Sequence, residues 1–341
     1  MNTWKQIVII VSTGAVLFGC GSSDSPRPAA GGGAASETEK LYVSMPDQGV
    51  VKSIHLKGAA AKGSLEKTFH DHPALPTFAV EATIDMKSSE VPAPRPGEVV
   101  FSGGFAYVRL TDSNFVQRFD VATDGRGQNH AMAMGVRPIH LFVDPDDKVW
   151  VGNDGPRTSG AVCPGVHGDC LPDTVSVIDK GAGTAHPPIE TGSGHHLVAF
   201  SRPSPLKQDT PKRAFITNLH DDTLSVIDND PASPTYLQGI LKDALLNGQA
   251  SLKLGADPHG IAFSPASGKI YVPDADPTAA DALWVIDPND LAVTKIRKGS
   301  GPNEIPVIGG LVVRHAHGDP ADGQFIYTLG SLNDTTVTPT T

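Results

Sequence analysis

The stretch "GADPHGIAFSPASGKIYVPDADPTAADALWVIDP", from Gly255 to Pro288, decides the fold because its pattern occurs elsewhere in the chain. It contains a histidine, an apolar run ending in Phe-Ser, a spacer, a second apolar run, a polar break and then Val-Ile-Asp. The stretch "GSGHHLVAFSRPSPLKQDTPKRAFITNLHDDTLSVIDND", from Gly192 to Asp230, follows the same order. Self-similarity at a long period is typical of repeat architectures. The chain is therefore a series of similar repeats.

Each repeat predicts several short β-strands around one marked position. Six apolar pairs begin with an aromatic residue, and these are Tyr42, Tyr107, Trp150, Phe215, Tyr271 and Tyr327. Further apolar runs come before and after them, four of which end at Asp120, Asp179, Asp228 and Asp287. All are short, rich in β-branched residues and separated by Gly, Pro, Asn and Asp. Each repeat therefore has the content of a four-stranded sheet.

The strands hardly alternate between apolar and polar residues, which is typical of sheets buried on both faces. A sheet packed between two like sheets meets that condition, and radial stacking of four-stranded sheets also leaves few open edges. The sequence therefore predicts an all-β protein, a β-propeller of four-stranded blades that occupies residues 41–341.

Residues 137 to 290 resemble the YVTN family of β-propeller repeats. The family phrase is most complete in Pro138–Pro145, Lys148–Asn153 and Thr174–Asp179. The resemblance implies the propeller fold and leaves the activity open, because such propellers host many functions. The family commonly closes at seven blades, and residues 59–96, which include "PTFAVEATIDM", could hold an additional blade. Seven blades are therefore favoured narrowly over six.

The N-terminal stretch "MNTWKQIVIIVSTGAVLFGC" has the features of an export signal. Its apolar core is too short to span a bilayer as a helix. "LFGC" resembles the lipobox of bacterial lipoproteins, which implies cleavage before Cys20 and lipidation of that residue; an ordinary secretory signal is the alternative. Gly21 rather than Asp after the cysteine implies outer-membrane sorting. We expect a signal peptide over 1–19, a flexible tether over 20–40 and the propeller from 41.

The formal net charge of −10 comes without a basic cluster, which argues against nucleic acid and anionic lipid as partners. We expect a monomer in the cell envelope that faces the periplasm. It would contact the membrane only through its N-terminal lipid, and a protein partner could dock on the propeller loops. Cys163 and Cys170 in "CPGVHGDC" predict a disulfide, and a Cys-His-Cys metal site with His167 is the alternative.

Four of the 13 histidines stand at or beside the starts of repeats. His196 and His259 stand at the same distance before Phe200 and Phe263, His195 is adjacent, and His140 falls within one position of them. Innermost strands line a propeller channel, so these imidazoles could form a ring that binds zinc, copper or nickel. Weaker candidates with i, i+2 spacing are His315 with His317 and His70 with His72. Alternatively, each histidine bonds only the backbone of a neighbouring blade.

Histidines in this arrangement are similar to those of nitrous-oxide reductase, whose propeller holds copper, and of cytochrome cd-type nitrite reductase, whose propeller holds haem. The chain has no cupredoxin-like region and no Cys-x-x-Cys-His, so electron entry is not provided. Periplasmic zinc-chaperone propellers share the histidine richness. No catalytic motif rises above background. The sequence predicts a lipid-anchored binding protein that holds zinc or copper and performs no catalysis. The alternatives are a metal-dependent oxidoreductase or lactonase-like enzyme, and an interaction scaffold without metal.

Overall fold

The computed structural model describes residues 10–13, 16–17, 40–57, 77–111, 113–125, 130–134, 137–154, 173–194, 197–219, 222–239, 252–254, 258, 260–273, 282–297, 311–315 and 324–328. The chain divides into two compact units. Unit 1 comprises Met1–Asn153 and Ser176–Pro188, and unit 2 comprises Asp154–Val175 and Ile189–Thr341.

Unit 1 begins with a five-stranded antiparallel sheet in the order β2-β1-β3-β4-β5. Its strands are β1 (Ile10–Thr13), β2 (Val16–Leu17), β3 (Lys40–Met45), β4 (Val50–Lys57) and β5 (Thr77–Asp85). A 3-10 helix, Pro46–Gln48, joins β3 to β4 and ends at Gly49, whose φ of 67° is left-handed. Glycine adopts that conformation without steric cost.

Part of the stretch that was expected to provide an additional blade belongs to this first sheet. β5 pairs with β4 along its whole length, from Asp85 opposite Val50 to Thr77 opposite Lys57. Residues 77–85 are therefore an outermost strand of the first sheet, while residues 59–76 lie outside the described residues. Seven-blade closure stays a prediction.

Two four-stranded antiparallel sheets follow, each with its strands in chain order. The second sheet consists of β6 (Arg95–Ser102), β7 (Phe105–Thr111), β8 (Phe115–Asp120) and β9 (His130–Ala133). The third consists of β10 (Pro138–Val143), β11 (Val149–Asn153), β12 (Thr174–Ile178) and β13 (Ile189–Glu190). The boundary between the two units falls within β12.

Unit 2 repeats this plan. One four-stranded sheet consists of β14 (Val198–Ser201), β15 (Arg213–Asn218), β16 (Thr223–Asp228) and β17 (Leu252–Lys253). The next consists of β18 (Ala262–Ser264), β19 (Lys269–Pro273), β20 (Ala282–Ile286) and β21 (Val293–Arg297). A two-stranded sheet of β22 (Leu311–His315) and β23 (Gln324–Thr328) comes last.

The strand content expected from the sequence is confirmed. The six marked aromatic residues all lie in strands, namely β3, β7, β11, β15, β19 and β23. Four of the six sheets among the described residues have four strands, and all pairings are antiparallel. Within those same residues, no helix is long and apolar enough to cross a membrane.

Both faces of the second sheet are buried, as the weak alternation predicts. On one face Phe101 and Val108 pack with Tyr42 of the first sheet. On the other face Val100 and Tyr107 pack with apolar residues of β10 and β11. Neighbouring residues of one strand therefore reach opposite cores, because successive side chains of a strand point to opposite faces. Burial of each large apolar side chain stabilises the fold by about 1.5–3 kcal/mol.

Consecutive sheets approach each other at their first strands. β6 lies against β10 in unit 1, while β14 lies against β18 and β18 against β22 in unit 2. Hydrogen bonds also join the end of the first strand of one sheet, or the turn after it, to the turn after the first strand of the next sheet. Ser102 Oγ donates to the carbonyl of Asp147, and Ser204 Oγ donates to the carbonyl of Pro265 at 2.6 Å. Within each unit, the stacking is that of neighbouring propeller blades.

Candidate functional site

The one predicted ring histidine with a described side chain is His140, in β10. In the pairing of β10 with β11, His140 stands opposite Gly152 and Phe142 opposite Trp150. The register shifts between Pro138 and His140, so the strand contains a β-bulge directly before the histidine. A bulge bends the strand and re-aims the neighbouring side chain. The irregular start of β10 therefore sets the direction of the imidazole.

His140 contacts a carboxylate from the preceding sheet. Its Nδ1 lies 3.5 Å from Oε2 of Glu98 in β6, and the two side chains are 27% and 32% exposed. The same Oε2 accepts a hydrogen bond of 2.8 Å from the backbone N–H of Leu141. The imidazole of His140 also lies 6.2 Å from the ring of Phe142. The start of β10 is thus joined to β6 through one carboxylate oxygen.

Glu98 and His140 occupy equivalent places in their sheets. Val100 pairs with the marked aromatic Tyr107, and Phe142 pairs with the marked aromatic Trp150. Glu98 and His140 each lie two residues before those partners; Glu98 lies within a register shift of β6, and His140 directly follows one in β10. Sequence analysis missed Glu98. The available signal was the Arg-Pro dipeptide that precedes both residues at the same distance, in "RPGEVVF" and "RPIHLFV".

The same comparison shows how the predicted histidines differ in register. In unit 2 the residues opposite the marked aromatics are Ala199 and Ala262. His196 and His259 precede these by three residues, whereas His140 precedes its counterpart by two. An offset of one residue normally moves a side chain to the other face of a strand. The bulge in β10 is the feature that can compensate for it.

Most of the other predicted site residues lie outside the described residues. These are His70, His72, His167, His195, His196, His259, His317, Cys20, Cys163 and Cys170. His315 ends β22 opposite Gln324, and only its backbone is described. Among the side chains that the structure does describe, no group of three or more His, Cys, Asp or Glu could hold a metal ion. The ring of histidines therefore stays a prediction.

A buried ion pair fixes the hairpin that carries His140. Asp144, which follows β10, accepts hydrogen bonds from the backbone N–H groups of Asp146 and Lys148 and from the indole of Trp150. The ammonium of Lys148 lies 3.2 Å from the same carboxylate, and both side chains are buried. Buried charges need such compensation. This cluster shapes the hairpin that carries His140.

A second buried polar cluster joins the first and second sheets. The hydroxyl of Tyr42 donates to Asp124 Oδ1 at 2.8 Å, and Lys40 Nζ lies 2.9 Å from Oδ2. Burial, followed by the hydrogen bond to Asp124, raises the pKa of Tyr42 far above its usual value near 10. The hydroxyl of Tyr42 is therefore a neutral hydrogen-bond donor at neutral pH. Sequence analysis identified Tyr42 only as an aromatic strand residue.

No protein-family model and no curated protein matches the chain. Among solved structures, it is similar to the hydrazine synthase of Kuenenia stuttgartiensis, with 14% identity over 84% of this chain and 70% of that chain and a TM-score of 0.48. A functionally unknown protein from Desulfotomaculum acetoxidans gives 10% identity, coverage of 76% and 65%, and a TM-score of 0.46. The WD40 domain of Toxoplasma gondii coronin gives 9%, 80% and 58%, and 0.46. Likeness of this size assigns neither a family nor an activity.

Proposed function

We propose that the protein is a β-propeller of the cell envelope that binds a transition-metal ion, zinc or copper, through histidines at the first strands of its sheets. The closed ring that this requires extends the stacking seen inside each unit. The ligands are His140, His195, His196 and His259, with His315 and His317 as weaker members. Neutral imidazole is a ligand that suits both metals. The proposed role is binding or transfer of the ion, without catalysis by the chain itself.

The observation that carries this proposal is the contact between His140 and Glu98. Histidines that bind metals almost always give their other ring nitrogen to a carboxylate, a carbonyl or water. His140 has such a carboxylate 3.5 Å from Nδ1, at the strand that begins its sheet. A histidine with a merely structural role, as considered from the sequence, would need only a backbone partner.

The chain supplies a matched control for this site. His186 also faces a carboxylate, with Nε2 lying 2.8 Å from Oδ2 of Asp179, but the pair belongs to the turn between β12 and β13. It therefore reproduces the chemistry of the His140 contact in a turn and not on a first strand. Substitution of His186 by alanine should leave metal affinity unchanged.

Metal titration of the full protein purified from its native envelope tests the proposal. We expect one equivalent of Zn²⁺ or Cu²⁺ to bind the parent, the His140→Ala variant to bind at least tenfold more weakly, and a His196→Ala/His259→Ala double variant to bind more weakly still. Elemental analysis of the isolated protein identifies the native metal. Binding by the double variant that equals the parent's would refute the proposal, and so would an equal loss in the His186→Ala control.

The proposal also includes the location of the protein. Lipidation of Cys20 would tether the domain to the outer membrane, and a disulfide between Cys163 and Cys170 would suit the oxidising periplasm. Radiolabelled palmitate should label the parent and not a Cys20→Ala variant. Membrane attachment that persists in that variant would refute lipid anchoring while leaving the metal proposal intact.

A further inference from the structure

We propose that Glu98 is the positioning residue for His140, and that its carboxylate fixes the imidazole as the tautomer with the proton on Nδ1 and the lone pair on Nε2. Nothing in the sequence pattern of histidines points to this glutamate. Its relevance to metal binding rests on the proposed function, but the positioning itself does not. The inference follows from three features of the contact.

The first feature is that a single oxygen makes both contacts. Oε2 of Glu98 lies 3.5 Å from Nδ1 of His140 and accepts the backbone N–H of Leu141 at 2.8 Å. The backbone hydrogen bond holds that oxygen at the strand on which the histidine stands. Oε2 therefore faces Nδ1, and a proton on Nδ1 is the arrangement that this carboxylate favours.

The second feature is that the backbone beside Glu98 is itself fixed. Oγ of Ser44, in β3 of the first sheet, donates to the carbonyl of Gly97 at 2.5 Å. An added Cβ at Gly97 would lie 2.7 Å from the guanidinium of Arg109, so the chain packs closely at this point. The register shift between Pro96 and Val99 places Glu98 inside a bulge. The carboxylate thus projects from an anchored irregularity in β6.

The third feature is chemical. In neutral histidine one ring nitrogen donates and the other accepts, and the partner of one nitrogen decides the role of the other. With Nδ1–H directed at Glu98, Nε2 is the nitrogen that would bind a metal ion. Loss of such a carboxylate partner typically weakens metal affinity by about 10–100-fold.

Two measurements on the full protein test the positioning role. In metal-free protein, ¹⁵N chemical shifts of the His140 ring should report the Nδ1–H tautomer for the parent and a mixture of tautomers for Glu98→Ala. Titration with Zn²⁺ should show about 10–100-fold weaker binding for Glu98→Ala. Glu98→Gln should retain the Nδ1–H tautomer, because Leu141 N–H keeps the amide oxygen at the place of Oε2. Far-UV circular dichroism confirms folding, and Glu98→Asp replaces Glu98→Ala if the alanine variant does not fold.

Glu190, an exposed residue of β13, supplies the charge-matched control, and Glu190→Gln should change neither readout. An unchanged tautomer in Glu98→Ala would overturn the inference, even where the parent binds zinc and the proposed function stands. A tautomer mixture in Glu98→Ala, together with a parent that binds no zinc, would support the positioning role and refute the metal-binding function.

Discussion

The two tyrosines of unit 1 that are fully buried, Tyr42 and Tyr107, allow a paired test of how one buried hydrogen bond contributes to stability. The hydroxyl of Tyr42 is bonded to the carboxylate of Asp124, whereas that of Tyr107 has Arg118 nearby but no well-formed hydrogen bond within the described part of the chain. A hydrogen bond to a charged group contributes about 1.5–3 kcal/mol. Tyr42→Phe should therefore lower the free energy of unfolding by that amount at pH 7. Tyr107→Phe should cost almost nothing, because it removes a hydroxyl that gains little from folding.

The same two residues make stability depend on alkaline pH. Burial is the main cause that raises the pKa of both tyrosines, and Asp124 adds to it for Tyr42, while Arg118 opposes it for Tyr107. An unfolded tyrosine titrates near pH 10. Because the folded pKa is higher, each contribution is complete below about pH 10 and is lost as the pH rises above it. At pH 11 Tyr42 should account for a loss of about 1.4 kcal/mol in the free energy of unfolding, and Tyr107 should add a loss of the same sign.

Urea unfolding followed by tryptophan fluorescence measures both effects, since Trp150 is fully buried in unit 1. A Trp284→Phe background removes the signal of unit 2. Each phenylalanine variant should show a shallower decline in stability between pH 9 and pH 11 than its parent. Equal losses in the two variants at pH 7 would refute the role assigned to the Tyr42–Asp124 hydrogen bond. An unchanged alkaline decline in both would refute the assignment of the decline to these tyrosines.

Three further perturbations test the packing of the sheets, each by urea unfolding. Asp144→Ala should destabilise unit 1 by about 3 kcal/mol or more, because it leaves Lys148 buried without its main partner; a cost under about 1 kcal/mol would contradict this. Gly103→Ala should cost more than Gly104→Ala, since both have a positive φ but only at Gly103 would an added Cβ lie 2.9 Å from a lysine Cγ. Burial acts to raise the pKa of Asp287, but hydrogen bonds and its lysine partner lower it overall. Stability should therefore be complete above about pH 4 and fall at lower pH, and Asp287→Asn should reduce that fall.

Much of the architecture could be read from the sequence because it depends on local patterns. The runs that end in Val-Ile-Asp at Asp179, Asp228 and Asp287 correspond to β12, β16 and β20. Their β-branched residues and polar breaks specify strands without reference to the rest of the chain. The place of residues 77–85, inside the stretch 59–96, could not be read in this way. Whether β5 starts a new sheet or completes an old one depends on its pairing with β4, a contact that no local pattern encodes.

The candidate site also combines residues that a local pattern predicts with residues that only a long-range contact reveals. His140 was identified because histidine is uncommon and its position could be counted from the repeat. Glu98 was missed because a single glutamate in an acidic chain carries no signal by itself, and its importance comes from a contact across two sheets. The bulges in β6 and β10 were also invisible, because each inserts one residue into a strand without changing its composition.

The pairing of β1 with β3 has a consequence for the predicted removal of the N-terminal leader. Residues 10–12 pair with residues 40–42, so the leader predicted to be cut off serves as a temporary neighbour for the first strand of the domain. Removal of the leader would expose unpaired main-chain N–H and C=O groups along β3. Such an exposed edge can pair with another strand. Cleavage at the predicted site would therefore leave β3 open to pairing with another strand.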